Sequence, residues 1–420
     1  MDEMKKRKIW SEKDVDMNKT VSLALLLVLS TASISAQEKL KGGAELPILA
    51  WYSIPPSETT VARYQEMRDI GINHQFTGFP DAASLQKALD VAKQTGLKIV
   101  ASCPELRTDP EGTVKRFKDH PALVGYHLGD EPNIQAIPGM GTWAKRILAA
   151  DPKHFVYLNL FPNFATDEQL GTKDYGEYVD AYVKEVPVQF LSFDYYPVFK
   201  DHLAESWYAN LETIAMKSRQ ANKPFWAFVL TTNFDEGHVT PQDQAAMRLQ
   251  AYSDLAYGAQ GIQYFTYWSA TSIDAPSGED QRGAPISATG KRSVVYERVR
   301  ALSKELQAWA PAFMGARVVS VRHMGRGAIP RGTVRLTSLP EQVKVLETHG
   351  APAIVSVLEN AGVRYLLLVN KDHLNPMPYV FYAEGQVGRI LKDGTIVPAS
   401  AYEPAQELEP GDAVLFRLNK

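Results

Sequence analysis

Two adjacent carboxylates offer the clearest chemistry in this sequence. Asp130 and Glu131 end an apolar run, GYHLGDEP, at 125–132. Neighbouring carboxylates repel one another, and burial beneath aromatic rings disfavours their charged forms further, so one of the two is expected to hold a proton near neutral pH. A protonated carboxylic acid is the group that a glycosidic leaving oxygen needs. The pattern predicts acid–base chemistry at Glu131, and the alternative is a solvated Asp-Glu turn.

Other carboxylates follow apolar runs and could act together with Glu131. Asp194 follows one such run, and Glu236 lies four residues beyond Thr232, the end of another. Glu236 is the first choice for a nucleophile and Asp194 the second. We expect Asp130 to orient and tune Glu131. The distance between the two catalytic carboxyls predicts the configuration of the product. It is about 5 Å in enzymes that retain the configuration directly and about 6.5–9.5 Å in enzymes that invert it. In an inverting reaction, either Asp194 or Glu105 would be the base.

Aromatic and polar side chains at the ends of the same runs are expected to bind the sugar, because flat rings pack against the apolar face of a pyranose. The predicted substrate-binding residues are Trp51, Tyr52, Glu105, Asn159, Tyr195, Tyr196 and Trp268. His74 and His127 are more typical of structural hydrogen bonding, since no carboxylate–His ligand spacing accompanies them. No metal and no cofactor are predicted.

The elements that must position these residues alternate along the chain. From residue 48 to about 310, short apolar runs alternate with amphipathic stretches in eight strand–helix units. Eight such units over about 260 residues predict a (β/α)8 TIM barrel, whose active site lies at the carboxyl ends of the strands. A doubly wound sheet is the rival, but it would need a Gly-rich turn where the chain has PPS at 55–57.

A second kind of pattern follows the barrel. Short β-rich runs separated by Gly, Pro and Asp turns predict a small all-β domain, a β-sandwich. The predicted domains are a charged extension plus signal peptide at 1–36, a linker at 37–47, a catalytic barrel at 48–312 and a sandwich at 313–420.

The N-terminal region predicts export. The run VSLALLLVLSTASISA at 21–36 is short for a membrane span, follows Lys19 and ends in small residues, as signal peptides do. We interpret Met17 as the true start. No Cys follows the run, so a bacterial lipid anchor is not expected. The mature chain is predicted to be secreted or periplasmic and free of the membrane after cleavage; a transmembrane anchor is the alternative.

Composition excludes several classes of protein. The 45 Lys and Arg residues nearly balance the 48 Asp and Glu residues, giving a net charge of −3. This balance argues against nucleic-acid and anionic-membrane binding, which need a basic excess. A single cysteine, Cys103, excludes an internal disulfide and a multi-cysteine zinc site. The expected partner is a carbohydrate substrate.

The motifs resemble those of (β/α)8-barrel retaining glycoside hydrolases, which carry the acid/base Glu after strand 4 and the nucleophile Glu after strand 7. The resemblance covers residues 48–310, and a C-terminal β-sandwich is a common appendage there. Glu131 followed by Pro132 corresponds to the Glu-Pro after strand 4. Trp268 corresponds to the aromatic beneath the sugar after strand 8, and Tyr195 or Tyr196 to the tyrosine after strand 6. The resemblance implies an O-glycosidase that uses no cofactor, and the N-terminal pattern predicts that it is exported.

Two departures from that family keep other readings open. Asp130 stands where the family usually has Asn, and the run FWAFVLTT at 225–232 ends without Glu. An acidic pair after strand 4 also resembles hexosaminidase- and chitinase-like barrels, where Asp orients the substrate's acetamido group and that group attacks. Asp194 and Tyr195 could serve in that route. A non-catalytic glycan-binding barrel is a further alternative. A lyase or esterase is disfavoured, because the sequence shows no recognisable Ser/His/Asp catalytic motif.

Overall fold

The computed structural model describes residues 38–235, 237–240, 242–269, 283–399 and 406–418. The predicted extension and signal peptide at 1–36 and the predicted nucleophile Glu236 lie outside the described residues. Within the described part of the chain, no helix has the length and hydropathy needed to cross a membrane.

Eight parallel strands form a barrel. They are β1 (Ile48–Trp51), β2 (His74–Phe76), β3 (Lys98–Ala101), β4 (Leu123–Asp130), β5 (Phe155–Asn159), β6 (Leu191–Phe193), β7 (Phe225–Leu230) and β8 (Gly261–Phe265). Their order is β5-β4-β3-β2-β1-β8-β7-β6. A bridge between Leu160 and Phe193 joins the two outer strands, and the Leu160 N–H donates to the Ser192 carbonyl at 2.9 Å. The predicted (β/α)8 barrel is confirmed.

Helices follow the strands around the outside of the barrel. They are α1 (Val61–Asp69), α2 (Ala82–Thr95), α3 (Glu105–Thr108), α4 (Pro110–Phe117), α5 (Ile137–Ala150), α6 (Asp167–Leu170), α7 (Tyr175–Glu185), α8 (Trp207–Ala221), α9 (Gln244–Tyr257) and α10 (Val294–Phe313). α2 shows how the sequence sets their ends. The Asp81 carboxylate accepts the Ser84 N–H at its start, and Gly96 adopts a left-handed conformation at its end.

Large side chains fill the barrel interior. The cluster consists of Leu49, Trp51, Phe76, Val100, Tyr157, Phe190, Trp226 and Phe228. Two glycines leave room for these rings. A Cβ at Gly125 would lie 2.3 Å from the Phe155 ring, and one at Gly261 would lie 2.5 Å from the Trp226 ring. The interior is therefore a packed core, so a ligand must bind above it.

Two antiparallel sheets follow the barrel. Their strands are β9 (Arg317–Met324), β10 (Val343–Glu347), β11 (Ala353–Asn360), β12 (Val363–Asn370), β13 (Met377–Ala383), β14 (Val387–Ile390), β15 (Ile396–Pro398), β16 (Gln406–Leu408) and β17 (Ala413–Leu418). One sheet has the order β10-β13-β16 and the other β15-β14-β17-β12-β11-β9. Leu346 and Met377 from the first pack with Leu366 and Phe416 from the second. The predicted all-β sandwich is confirmed.

The six-stranded sheet is buried on both faces. Side chains alternate along a strand, so while Leu366 points into the sandwich, Leu367 joins the hydrophobic core of the barrel helices. The Trp309 indole on α10 donates to the Leu391 carbonyl at 2.8 Å, and the Ser356 hydroxyl donates to the Ala256 carbonyl at 2.7 Å. Residues Gln37–Lys420 form one compact unit, so the division at 312–313 stays a prediction.

Candidate active site

β4 delivers both members of the acidic pair to one cleft. In a regular strand, neighbouring side chains point to opposite faces. The pairing of β4 with β5 shifts between His127 and Gly129, so β4 carries an extra residue there. Glu131 then takes a φ of 44°, in the left-handed region that non-glycine residues rarely adopt. The shifted register and this turn leave Asp130 and Glu131 lining the same cleft.

Asn159, at the end of β5, joins two of the acids. Its Nδ2 donates to Asp130 Oδ1 at 3.1 Å and to Asp194 Oδ1 at 2.8 Å. Its Oδ1 accepts from the Ser192 hydroxyl at 2.7 Å, which sets the orientation of the amide. The Gln263 amide donates to the same hydroxyl at 2.9 Å. A buried polar network therefore positions the acids from below.

Glu131 and Asp194 are hydrogen-bonded to each other. Burial raises the pKa of Asp194 to about 7 and the negative charge of Asp130 adds to this rise, while hydrogen bonds to Asn159 and Glu131 oppose it. An ionised carboxylate only accepts hydrogen bonds, so a hydrogen bond between two carboxyls requires one proton between them. Because burial raises the pKa of Asp194 to about 7, we expect the Glu131–Asp194 pair to hold one proton near neutral pH.

Asp130 is perturbed in the same direction. The surrounding cleft wall raises its pKa to about 6, and the hydrogen bond from Asn159 opposes the rise. The Asp130 side chain also touches the water of the cleft, and this contact favours its charged form. The negative charge of ionised Asp130 in turn raises the pKa of Asp194.

The acids line a cleft of about 790 Å³ in which ten of the 22 lining residues are Phe, Tyr or Trp. Eight of the predicted site residues line it: Trp51, Tyr52, Asp130, Glu131, Asn159, Asp194, Tyr195 and Tyr196. Trp51 contributes little surface, since it is 3% exposed and its ring lies 4.4 Å from that of Phe76 in the barrel core. Tyr195 is also buried, and its hydroxyl is 2.7 Å from the Ser206 hydroxyl.

Two predicted substrate-binding residues lie elsewhere. Glu105 begins α3, where its Oε1 accepts the Ala82 N–H at 2.9 Å and so ties two loops together. Trp268 is 7% exposed, with the Arg63 guanidinium 5.2 Å from its ring centroid. Neither is among the described residues that line the cleft.

The described end of β7 offers no free carboxylate. The strand continues into buried Thr231 and Thr232, and the Thr231 hydroxyl donates to the Thr266 carbonyl at 2.8 Å. Asp235 lines the cleft, but its Oδ1 is bonded to His238 Nδ1 at 2.8 Å and to the Gly237 N–H at 2.8 Å. Although partial burial opposes them, these bonds hold the pKa of Asp235 below its usual value.

Several residues that line the cleft were not among the predicted site residues: Phe161, Phe164, Phe199, Glu205, Phe228, Phe234, Asp235, His238 and Phe265. Phe161 and Phe164 follow β5 directly in the run FPNF, so the rule that strand ends form the site could have found them. Phe199 and Phe234 come from longer connections after β6 and β7, where no periodic pattern marks their direction.

Comparisons with known proteins agree with this architecture. The model of glycoside hydrolase family 42, described as beta-galactosidase, matches residues 143–309. A solved structure described as a glycoside hydrolase has 13% identity and a TM-score of 0.57, covering 90% of this chain and 93% of that one. A family 5 glycoside hydrolase from Bacteroides vulgatus has 13% identity and a TM-score of 0.55, covering 90% of each chain. The resemblance to (β/α)8-barrel glycoside hydrolases is confirmed.

The family match indicates that the chain is a glycosidase. A beta-galactosidase from Marinomonas ef1 has 12% identity and a TM-score of 0.47; the match covers 63% of this chain, which spans 60% of that one. No curated protein matches the sequence. The family match begins at residue 143, after Glu131, so the role of the acidic pair depends on the geometry of the cleft.

Proposed function

We propose that the chain is an exported, retaining O-glycosidase in which Glu131 is the general acid and then the general base. The observation that carries the proposal is the Glu131 carboxyl hydrogen-bonded to Asp194, whose pKa burial raises to about 7, in an aromatic cleft at the carboxyl ends of the barrel strands. General acids act best when their pKa lies near the working pH. The match to the beta-galactosidase model supports glycosidic bonds as the target.

The first step breaks the bond between the anomeric carbon and the leaving oxygen. Glu131 gives its proton to that oxygen while a nucleophile attacks the anomeric carbon from the opposite face. In the second step, Glu131 takes a proton from water as the water oxygen displaces the nucleophile. Two inversions at the same carbon return the original configuration. Asp194 assists by keeping the proton on the pair until the substrate arrives.

The nucleophile separates two routes to retention. Direct retention needs about 5 Å between the two carboxyls, and the hydrogen bond between Glu131 and Asp194 is shorter than that. Asp194 therefore suits a role as proton partner, and Glu236 remains the enzyme nucleophile that the sequence favours. The second route uses an acetamido group of the substrate, oriented by Asp130. β7 leads into the buried Thr231 and Thr232, where an enzyme nucleophile would require a carboxylate, and this favours the second route.

A panel of nitrophenyl glycosides with either a hydroxyl or an acetamido group at the sugar C2 tests the proposal. We expect cleavage of at least one member, with retained configuration by NMR of the first product. Loss of cleavage in Glu236→Gln supports the enzyme nucleophile, whereas restriction to acetamido sugars supports substrate assistance. An inverted product refutes retention. Glycan binding without any product from the wild-type protein supports the non-catalytic alternative.

Export is tested on the protein that a producing cell releases. We expect its N-terminal residue to lie close to residue 37, after removal of the charged extension and the apolar run. A mature protein that still begins before Val21 contradicts export by a cleaved signal.

A further inference from the structure

Acidic side chains dominate the charge around the cleft. Of the described residues that line it, five are acidic and none is Lys or Arg; the acidic ones are Asp130, Glu131, Asp194, Glu205 and Asp235. The lining histidine, His238, is engaged by the Asp235 carboxylate and by the Tyr196 carbonyl at 3.0 Å from its Nε2. Both ring nitrogens of His238 are thus taken up by acceptors of the chain, and a ligand in the cleft meets several carboxylates and no Lys or Arg among the described lining residues.

This charge pattern is unfavourable for anionic sugars. Proteins bind carboxylate and sulfate groups mainly through Arg, Lys and free backbone N–H groups. A uronate or sulfate ester here would face like charges, and the aromatic walls lower the local dielectric and strengthen the repulsion. Glu205 matters most for this effect outside the acidic group at the strand ends, because its side chain is exposed at the cleft and carries no role in the proposed chemistry.

An exposed aromatic ring in the same cleft indicates which surface of a sugar can bind there. Phe164 is 61% exposed, although it is a large apolar side chain. Its ring stands edge-on to that of Tyr195, with centroids 4.9 Å apart, and Tyr195 is buried and held through Ser206. Phe164 therefore presents an exposed ring against a fixed neighbour, and the apolar face of a neutral pyranose matches such a surface.

We infer that the cleft takes an uncharged glycan, with one sugar ring stacked on Phe164, and rejects glycans that carry uronate or sulfate groups near the cleaved bond. The inference relies on the proposed function only for the statement that a glycosidic bond is cleaved in this cleft. The charge preference and the stacking rest on the cleft itself, so they can be measured by binding as well as by turnover.

A matched pair of ligands tests the charge preference. For the neutral nitrophenyl glycoside that the enzyme cleaves best, the corresponding uronide differs only by a carboxylate in place of the C6 hydroxymethyl. We expect kcat/KM for the uronide to be lower by about tenfold or more at low salt. High salt should narrow the difference, because it screens exposed charges. Equal or preferred cleavage of the uronide overturns the inference.

Charge reversal at Glu205 gives a sharper form of the same test. Glu205→Lys should improve kcat/KM for the uronide relative to the neutral glycoside, and Glu205→Gln should do so to a smaller extent. Glu347→Lys makes the same reversal on β10, away from the cleft, and serves as the control. An unchanged preference in Glu205→Lys contradicts the proposed repulsion.

Stacking on Phe164 is tested with neutral oligosaccharides. Phe164→Ala should raise KM by about tenfold, since loss of one stacking ring removes roughly 1–1.5 kcal/mol of contact, with an unchanged Tm. Leu374→Ala removes another exposed apolar side chain, 53% exposed and outside the cleft lining, and is the control. Equal KM values for the wild-type protein and Phe164→Ala refute stacking on this ring.

The outcomes separate the inference from the proposed function. If the wild-type protein cleaves nothing, the proposed function fails, and calorimetry with neutral tetrasaccharides and tetragalacturonate then measures the preference. Binding of a neutral glycan alone still supports the inference. Binding of the uronate, or of neither ligand, overturns it.

Discussion

At the scale of single residues, the central feature is the hydrogen bond between the Glu131 and Asp194 carboxyls, beside which burial raises the pKa of Asp194 to about 7. Repulsion between the adjacent Asp130 and Glu131 predicts a retained proton on that pair, whereas the carboxyl bonded to Glu131 in the structure is Asp194. Asp194 arrives from β6, so its approach to Glu131 depends on barrel closure rather than on any spacing in the sequence. The end of β4 predicts the acid, and the fold supplies the second carboxyl that is hydrogen-bonded to it.

Glu131→Gln should reduce kcat by about 10²–10⁴-fold, because Gln has no proton to donate to the leaving oxygen. The amide has nearly the same shape, so Tm should stay close to that of the wild-type protein. Initial rates on the best nitrophenyl glycoside and a melting curve measure both effects. Glu347→Gln, on exposed β10, is the matched control. Near-normal turnover of Glu131→Gln on glycosides with poor leaving groups would remove Glu131 from the mechanism.

The pH profile should show the shared proton. Activity should fall as the pH rises through about 7, since both members of the pair are then ionised and no acid remains. Asp130→Asn removes a negative charge that raises the pKa of Asp194, so the alkaline limb should move to lower pH, by roughly half a unit. Profiles of kcat/KM for both proteins measure this shift. Asp69→Asn, exposed on α1, is the control, and a limb that moves upward in Asp130→Asn contradicts the arrangement.

The rule that residues at the carboxyl ends of barrel strands form the active site predicted most of the residues that line the cleft. It was wrong for two residues, each for a physical reason. Asp130, Asn159 and Asp194 end or directly follow parallel strands, so the barrel geometry brings them together. Glu105 follows a strand as well, but it begins a helix and accepts the Ala82 N–H instead. Trp268 is drawn beneath the surface by packing against Arg63, a partner distant in the sequence.

At the scale of elements, the register shift in β4 brings two adjacent side chains, Asp130 and Glu131, to the same cleft, whereas a regular strand would point them to opposite faces. Alternating apolar runs were sufficient to predict all eight barrel strands. They do not predict the register shift between His127 and Gly129, which depends on pairing with β5. A similar limit appears after the barrel. The run at 334–336 looks like a strand, yet Arg335 makes only an isolated bridge with His323.

α7 supports the segment after the acid through one hydrogen bond. The buried Tyr178 hydroxyl donates to the Pro132 carbonyl at 2.8 Å, next to Glu131. Tyr178→Phe should lower stability by ~1 kcal/mol, the typical contribution of one hydrogen bond. It should also lower kcat several-fold, because Glu131 is then held less firmly. Urea unfolding and initial rates measure the two effects.

Tyr264→Phe provides the comparison for this prediction. Tyr264 is equally buried, and its hydroxyl is bonded to that of Ser303 at 3.0 Å. The loss of stability should be similar, whereas kcat should stay unchanged. A similar fall of kcat in both variants would show that Tyr178 has no special link to the acid.

At the scale of the whole molecule, the barrel and the sandwich share one core. Apolar packing beneath the six-stranded sheet is joined by a charged group in which Arg248 bonds to Glu305 on the barrel and Lys392 bonds to Asp412 in the sandwich. The Tyr252 hydroxyl donates to Glu305 at 2.6 Å and accepts from Lys392 at 2.8 Å, which links the two pairs. Neither part can be removed without exposing apolar surface and breaking the hydrogen bond between Lys392 and Tyr252.

The full chain should therefore unfold in a single cooperative transition. Calorimetry should give equal calorimetric and van't Hoff enthalpies. A chain that ends at residue 313 should be insoluble or lack a cooperative transition, because the faces of α9 and α10 that pack on Leu367 and Leu415 become exposed. A soluble truncated barrel with its own sharp transition would show that the two parts are independent.

The left-handed backbone at Glu131 has a consequence for how this protein changes over generations. A glutamate with positive φ costs on the order of 1–3 kcal/mol, which glycine at the same place would not incur. Selection for thermodynamic stability alone would therefore favour substitution of Glu131 by glycine, and the resulting protein would be more stable but inactive. A lineage that keeps glutamate there accepts a less stable fold in exchange for its chemistry.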